Sequence, residues 1–390
     1  MYKINYSKAS LYISVVGGFA VGYISWNGSI NLVGLASLVL FAYFFISKKI
    51  NLFAFIFSYR LASSYPILMG IVDYTLNGYI LGFFLWLSAS FFTTMPWILF
   101  WSKDTKKRFL LFPLAILFTI VPPVGLFDGN DPITAVGLFF SGAGYIGIVY
   151  FLIVIILVSW VVLHLRGILK QWITIIAIVM FVSYGQCGIE YVPASLVYPL
   201  DTRYSFAHEN RFYAQKRQKE LLRKINDIDA DIILLPEHIF GEFKKDDMQI
   251  WHALNDSKMV IAGAYIYDKA HLHYDNVLLL ITNHSYRTIY TQHLPVPVAM
   301  WRPYANDGAR AHLWAKSDVK LAGKHIGMLL CYEAFIPYIY LQVMTSHPDY
   351  LLASANLWWS KGNTISDMQR KSLYLWSRLF GIGYIRSVNR

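Results

Sequence analysis

The chain has 390 residues, of which 56% are hydrophobic, 17% are aromatic and only 15% are charged. A soluble domain is typically about half apolar and about a quarter charged, so this composition excludes a disordered chain and indicates a membrane protein. Two cysteines are too few for a disulfide scaffold.

The net charge of +11 is unevenly distributed along the chain. Residues 1–189 hold 11 Lys and Arg against 4 Asp and Glu, whereas residues 190–390 hold 23 against 19. The basic excess lies in short loops and forms no patch interleaved with aromatic residues, so we expect no direct nucleic-acid partner. We therefore divide the chain into a polytopic transmembrane bundle over 1–189 and an extracytoplasmic domain over 190–390.

The first domain contains seven apolar stretches of spanning length, since about 20 helical residues cross the hydrocarbon core. They cover residues 9–26, 30–47, 52–72, 79–101, 109–127, 133–163 and 171–189. The sixth stretch is over-long, so it is either tilted or carries a re-entrant piece near residues 141–144. Arg60 lies inside the third stretch, where a charge is costly. We expect it either to pair within the bundle, with Asp73 or backbone carbonyls, or to line a pathway or a lipid headgroup site.

The loops between these stretches alternate in charge, and the basic ones fall on one side together with the N-terminus. Their cations are Lys3, Lys8, Lys48, Lys49, Lys103, Lys106, Lys107, Arg108, Arg166 and Lys170. Basic loops face the cytoplasm by the positive-inside rule. The sequence therefore predicts a multi-pass protein of the bacterial inner membrane, with a cytoplasmic N-terminus and a periplasmic C-terminal domain.

The second domain alternates between helix-like and strand-like segments. Strand-like runs cover residues 231–235, 259–266, 276–281, 326–330 and 350–354, and helical stretches cover 209–226, 336–346 and 364–380. Apolar strands between helices predict an α/β domain whose sheet is covered on at least one face.

Two of these strands end in residues that can carry chemistry. Glu237 follows the run 231–235, and Cys331 stands between the run 326–330 and a predicted helix. A thiol at a strand-to-helix turn is favoured as thiolate, and a nearby carboxylate can accept its proton as general base. Taken singly, a Pro-Glu after a strand usually only ends the strand, and a lone buried cysteine is more often a small hydrophobe than a nucleophile. As a pair they are the predicted catalytic residues.

The order of Glu237 and Cys331 resembles the nitrilase (carbon–nitrogen hydrolase) superfamily, which carries a Glu, Lys, Cys triad in that order. Residues 290–295, 354–359 and 386–389 resemble further motifs of that family. A bundle preceding such a domain is the layout of apolipoprotein N-acyltransferase and of TraB-type conjugal-transfer proteins, and residues 122–125 and 297–303 look more like the latter. The resemblance implies an α-β-β-α sandwich, and we expect it to lack the family's last strand because the chain stops at Arg390.

Two positions depart from the family pattern. Thr291 stands where the family has its lysine, two residues before a His-Leu pair, and residues 298–300 replace a Gly-Glu of the acyltransferase. The candidates for a substitute cation are Lys244, Lys245, Lys316 and Lys361. The resemblance places further pocket residues at Thr291, His293, Tyr332, Glu333, Asn356 and Trp358. Glu333 either shapes the pocket or orients the turn that holds the thiol. We expect no metal, because no His, Cys or Asp cluster has metal-ligand spacing, and no cofactor, because the sequence has no Walker or Rossmann glycine loop.

Two functions stay open from the sequence. The first is a TraB-type conjugal-transfer component whose catalytic competence depends on the missing lysine. The second is an active N-acyltransferase, in which Cys331 takes an acyl chain from a membrane phospholipid and passes it to a lipoprotein amine. The expected partners are accordingly a phospholipid and either a lipoprotein or components of the conjugative apparatus. A tethered soluble amidase would not explain seven spans.

Overall fold

The computed structural model describes residues 6–74, 78–164, 197–207, 210–268, 272–315, 317, 319–360, 362 and 364–390. The chain divides into two units. The first holds the described parts of Met1–Ile189, Phe335–Tyr338 and Gly362–Gly381, and the second those of Glu190–Ala334, Ile339–Lys361 and Ile382–Arg390.

The N-terminal part of the first unit is helical. Its α-helices are α1 (Tyr6–Asn27), α2 (Ser37–Phe45), α3 (Lys49–Tyr74), α4 (Tyr79–Leu99), α5 (Thr105–Ile120), α6 (Val136–Phe139) and α7 (Gly144–His164). Among the described residues, four segments are long and apolar enough to cross a membrane, namely Lys8–Asn27, Lys49–Gly70, Tyr79–Leu99 and Gly144–His164. The prediction of an apolar helical region is confirmed, and four of the predicted spans have helices of spanning length.

The other predicted spans are not confirmed. The second stretch forms a 3-10 helix, Ile30–Ala36, followed by the nine-residue α2. The fifth stretch forms α5, which has 16 residues. The seventh stretch, with Cys187, lies outside the described residues.

The over-long sixth stretch is interrupted. A 3-10 helix, Pro132–Ala135, leads into α6, and residues 140–143 are non-helical before α7 begins. Gly142 adopts a φ of +72°, a conformation that side chains with a Cβ disfavour. Its N–H donates to the carbonyl oxygen of Arg378 at 2.8 Å. The stretch is therefore a short folded segment followed by one helix of spanning length, not a single tilted helix.

Arg60 pairs within the bundle, which is one of the two alternatives predicted for it. It is 3% exposed in α3 and forms ion pairs with Asp128 and with Asp131, the latter at 3.4 Å. Both carboxylates come from the segment that precedes α6, so a distant part of the chain neutralises this charge. The side chain of Asp73, the partner expected from the sequence, lies outside the described residues.

The second unit contains two mixed sheets. The strands are β1 (Tyr198–Pro199), β2 (Ile232–Leu234), β3 (Met259–Asp268), β4 (His273–Ile281), β5 (Tyr286–Thr291), β6 (Gly308–Ala309), β7 (Val319–Leu321), β8 (Lys324–Leu330), β9 (Tyr350–Asn356) and β10 (Gly383–Asn389). The first sheet has the order β1-β2-β3-β4-β5 with β6 beside β4, and the second has the order β10-β9-β8-β7. Helices α8 (Arg211–Asp227), α9 (Met248–Trp251) and α10 (Pro337–Met344) complete the elements that precede β9.

The two sheets share one apolar core. Alternate residues of the first sheet, among them Leu234 and Leu278, pack with Met328 and Leu330 of β8 and with Leu352 of β9. Side chains alternate between the faces of a strand, so the residues between them point outward. On the first sheet these outward residues form a second core with α8. The predicted mixed α/β domain is confirmed at this level.

One further helix, α11 (Thr364–Phe380), packs within the first unit although β9 and β10 flank it in the chain. The absence of a side chain at Gly137 permits this packing, because a Cβ there would lie 2.0 Å from the carbonyl oxygen of Leu375. The Nζ of Lys371 donates to the carbonyl oxygen of Trp26 at 2.5 Å. The boundary at residue 189 stays a prediction.

Candidate active site

Glu237 and Cys331 lie together in the second unit. Glu237 follows β2, Cys331 follows β8, and their residues are 4% and 9% exposed. The Glu237 carboxylate and the Cys331 thiol are joined by a side-chain hydrogen bond. The structure thus brings together the acid and the thiol, and their catalytic roles stay predictions.

Cys331 sits on a sharp turn. Its φ of +45° lies in the left-handed region, which few residues other than glycine adopt. A 3-10 helix, Cys331–Phe335, begins at this residue. The thiol therefore stands where the strand breaks sharply into a helical turn, a conformation that the surrounding contacts must hold in place.

Glu333 supplies those contacts. Its Oε2 accepts hydrogen bonds from the N–H of Leu330 at 2.6 Å and the hydroxyl of Tyr290 at 2.9 Å. Its Oε1 accepts from the N–H groups of His293 at 2.6 Å and Leu294 at 3.1 Å. Both oxygens are thus occupied by protein donors. Of the two roles expected for Glu333, the geometry favours orientation of the turn.

The environment of Glu333 opposes ionisation. Its side chain is fully buried, and burial raises its pKa to about 7, while the hydrogen bonds from Leu330, Leu294, Tyr290 and His293 act in the opposite direction. A charged carboxylate loses its hydration when it is buried, and only part of that loss is recovered from these donors.

The Glu237 carboxylate is held from two sides. Its Oε1 accepts from the Nδ2 of Asn276 at 2.7 Å, and its Oε2 accepts from the N–H of Asn356 at 3.1 Å. Burial raises the pKa of Glu237, whereas the bonds from Cys331, Asn276 and Asn356 lower it. Asn356 is fixed in turn, because its Oδ1 accepts from the Nδ2 of Asn389 at 2.8 Å.

A second amide extends this arrangement. Gln292 accepts from the Nδ2 of Asn276 through Oε1 at 2.9 Å, and its Nε2 donates to the carbonyl oxygen of Leu330 at 3.0 Å. Sequence reasoning singled out neither Asn276 nor Gln292 as a site residue. The sequence signal that could have identified Asn276 is a polar residue at the start of the apolar run of β4. The structure shows that this residue is only 1% exposed.

Thr291, the residue at the family's lysine position, does not face this network. It pairs with Val277 of β4, which belongs to the core on the α8 side of the first sheet. Its neighbours Tyr290 and Gln292 both bond toward the β8 end. Because side chains alternate along a strand, Thr291 points to the opposite face, and Gln292 takes the position that faces the site.

The structure describes the surroundings of two of the four candidate cations. Lys244 pairs with Glu242 at 3.0 Å and Lys245 is exposed, and the replacement of the family lysine by either stays a prediction. Lys316 and Lys361 lie outside the described residues.

Arg386 of β10 is a cation within electrostatic reach of the thiol. Burial and the neighbouring cation Arg390 lower its pKa to about 10, against the opposing effect of Asp201, Tyr384 and Cys331. The sequence placed Arg386 within a family-like motif but did not mark it as a charge near the sulfur.

The remaining pocket candidates lie near this site to different degrees. His293 is 1% exposed, and its ring centroid lies 5.1 Å from that of Tyr290. Tyr332 is half-buried directly after Cys331. The ring of Trp358 is half-buried, 6.2 Å from that of Phe206. Within the described part of the chain, no group of three His, Cys, Asp or Glu side chains could hold a metal ion.

Solved structures are similar to part of this chain. A Helicobacter pylori carbon–nitrogen hydrolase is 15% identical, matches 41% of this chain and 58% of its own, and gives a TM-score of 0.31. An amidase from a Nesterenkonia species is 10% identical, matches 43% of this chain and 67% of its own, and also gives 0.31. No protein-family model matches the chain.

Two relatives are similar along almost the full chain. The probable conjugal transfer protein TraB of Sinorhizobium fredii is 27% identical over 389 residues, covering 96% of this chain and 97% of the relative. The conjugal transfer protein TraB of Agrobacterium fabrum is 25% identical over 392 residues, covering 95% and 90%. The resemblance predicted from the motifs is thus confirmed: this chain is similar to TraB-type conjugal transfer proteins over nearly its entire length.

Proposed function

We propose that this protein is a multi-pass inner-membrane component of a conjugal transfer system and that its C-terminal domain, a nitrilase-like α-β-β-α sandwich, performs thiol-dependent acyl transfer. The observation that carries the chemistry is the hydrogen bond between the Glu237 carboxylate and the Cys331 thiol. The similarity to two TraB proteins supports the conjugal context.

In the first half-reaction, the Cys331 sulfur attacks the carbonyl carbon of an ester, and Glu237 accepts the thiol proton. The carbon–sulfur bond forms, the carbon–oxygen bond to the leaving alkoxide breaks, and protonated Glu237 returns its proton to that alkoxide. Arg386, whose charge interacts electrostatically with Cys331, is the candidate cation for the negative charge that develops on the carbonyl oxygen. The product of this step is an acyl thioester on Cys331.

In the second half-reaction, an amine nitrogen attacks the thioester carbonyl. Glu237 takes a proton from the amine, the carbon–sulfur bond breaks, and the departing sulfur recovers that proton. The products are an amide and free thiol. The donor class is a phospholipid, because the chain carries apolar helices long enough to cross a bilayer, where such a donor resides. The acceptor class is a lipoprotein amine, as in the N-acyltransferase that the motifs resemble.

The proposed orientation places the N-terminus in the cytoplasm and residues 190–390 in the periplasm, after seven spans. The alternation of basic and uncharged loops supports it. A reporter that is active only in the periplasm, fused after Arg390, should be active. Activity of a cytoplasm-specific reporter at the same position would contradict this orientation.

The chemistry is tested by incubating the purified full chain with a phospholipid that carries a labelled acyl chain. We expect a hydroxylamine-sensitive label on the Cys331 peptide, absent from Cys331→Ser and strongly reduced in Glu237→Gln. Cys187→Ala, which removes the other cysteine, is the matched control and should label normally. Equal labelling of Cys331→Ser and the wild type would exclude the proposed mechanism.

A non-catalytic conjugal transfer component is the second candidate. The observation that favours it is the set of side-chain donors to Glu237 among the described residues, Cys331 and Asn276, which includes no lysine. An oxyanion-stabilising donor is worth about 100- to 1,000-fold in rate, so the loss of a lysine could silence the site. Wild-type conjugation frequency in Cys331→Ala, at equal protein level, would support this candidate over the acyl-transfer function.

A further inference from the structure

We propose that Asn276 is a positioning residue of this site, and that the Asn276–Gln292 amide pair holds the Glu237 carboxylate in place where the family uses a lysine. The inference rests on the proposed acyl-transfer function. It assigns a role to Asn276, which lies outside the family-like motifs, and to Gln292, which lies inside one but was not singled out as a site residue.

The orientation of both amides follows from their hydrogen bonds. The Nε2 of Gln292 donates to the carbonyl oxygen of Leu330, so its Oε1 must face Asn276. Asn276 then has an oxygen of Gln292 on one side and an oxygen of Glu237 on the other. Only its NH₂ group can satisfy both, because a reversed amide would place oxygen against oxygen.

This arrangement leaves a buried hydrogen-bond acceptor of Asn276 unpaired within the described part of the chain. Asn276 is 1% exposed, and its Oδ1 has no hydrogen-bond partner among the residues that the structure describes. A buried acceptor without a partner is unfavourable, and such groups in native structures call for an explanation. Both N–H groups of the Asn276 amide are used in hydrogen bonds to Gln292 and Glu237. Positioning of the Glu237 carboxylate therefore explains why the Oδ1 of Asn276 is left without a partner among the described residues.

The pair is also built on rigid elements. Asn276 lies in β4, and the N–H of Gln292 donates to the Asn276 carbonyl oxygen at 2.8 Å, directly after β5. The hydrogen bonds that start at Glu237 end at the backbone carbonyl oxygen of Leu330, the residue before Cys331. One chain of bonds therefore connects the strand that carries the thiol with the carboxylate that receives its proton.

The amide pair differs from a lysine in charge. An amide N–H stabilises the ionised carboxylate by a hydrogen bond but adds no positive charge to the pocket. Glu237 can act as a base only when it is ionised. Removing the Asn276 donor should therefore move the onset of base function to higher pH while leaving Cys331 itself in place.

The test measures alkylation of Cys331 by iodoacetamide as a function of pH, in the detergent-solubilised full chain with Cys187→Ala. In this reaction the sulfur–carbon bond forms, iodide leaves, and the thiol proton passes to Glu237. We expect the wild-type rate to rise first with ionisation of Glu237 and again with ionisation of the thiol. Glu237→Gln should lack the first rise.

Asn276→Leu should shift the first rise upward by about one to two pH units, the effect of one hydrogen bond to a charged group. Thr291→Val, on the opposite face of the adjoining strand, should keep the wild-type profile. Asn276→Ala removes the same donor with less added bulk and serves if the leucine variant does not fold. It should shift the rise upward to a similar extent.

An unshifted first rise in a folded Asn276 variant would overturn this inference and leave the proposed function standing. If Glu237→Gln instead reproduces the wild-type profile, Glu237 is not the base, and the proposed mechanism fails together with the inference.

Discussion

Replacing Glu333 by glutamine should weaken the hydrogen bonds that hold the turn carrying Cys331. The carboxylate accepts bonds from Leu330, Tyr290, His293 and Leu294. A glutamine has one acceptor oxygen, so its NH₂ must face two of these donors. If the oxygen keeps His293 and Leu294, the Tyr290 hydroxyl can rotate, but the N–H of Leu330 cannot.

The loss of one buried acceptor sets the magnitude. A buried N–H without a partner costs roughly 1–3 kcal/mol. For a domain of this size, about 2–4 °C of Tm corresponds to each kcal/mol. Thermal unfolding of detergent-solubilised Glu333→Gln should therefore begin several degrees below that of the wild type, with a parallel gain in Cys331 exposure to iodoacetamide.

Glu242→Gln is the matched control, because Glu242 makes one exposed pair with Lys244 at 3.0 Å and such pairs contribute about 0–1 kcal/mol. If Glu333→Gln and Glu242→Gln melt together and alkylate at the same rate, Glu333 does not hold the turn.

Three further predictions follow from the same geometry. Burial raises the pKa of Glu333 from 4.5 to about 7, so its contribution to stability should fall by roughly 3 kcal/mol as pH rises through that window. The difference between the free energies of unfolding of the wild type and Glu333→Gln, measured as a function of pH, isolates this contribution. A difference that does not change with pH would contradict the prediction. Gln292→Lys should speed Cys331 alkylation at neutral pH, and Thr291→Lys should not; equal rates would refute the assigned strand faces. Gly137→Ala should lower Tm, since its Cβ would meet the Leu375 carbonyl oxygen at 2.0 Å; an unchanged Tm would count against this packing.

The parts of the fold predicted correctly depend on local sequence. Helices α1, α3, α4 and α7 follow from the length and apolarity of their own stretches, and those properties need no partner to be recognised. The strand ends at Glu237 and Cys331 were likewise visible as polar residues after apolar runs.

What the sequence left open depended on contacts between distant segments. The carboxylates that pair with Arg60 lie 68 residues (Asp128) and 71 residues (Asp131) further along the chain, where the sequence offers no periodic signal that identifies them. Lys244 was a candidate by charge alone, and only the structure shows that its ammonium group pairs with Glu242.

The sequence by itself determined the apolar helices, the α/β character of the second unit and the identity of the acid and the thiol, because composition and periodicity act within short segments. The tertiary structure decided which neighbours surround that pair. The register of β4 against β5, with an irregularity between Leu278 and Leu279, sets the faces on which Asn276, Gln292 and Thr291 lie. A shift of one residue would exchange those faces, and no local pattern specifies which register the packed sheets adopt.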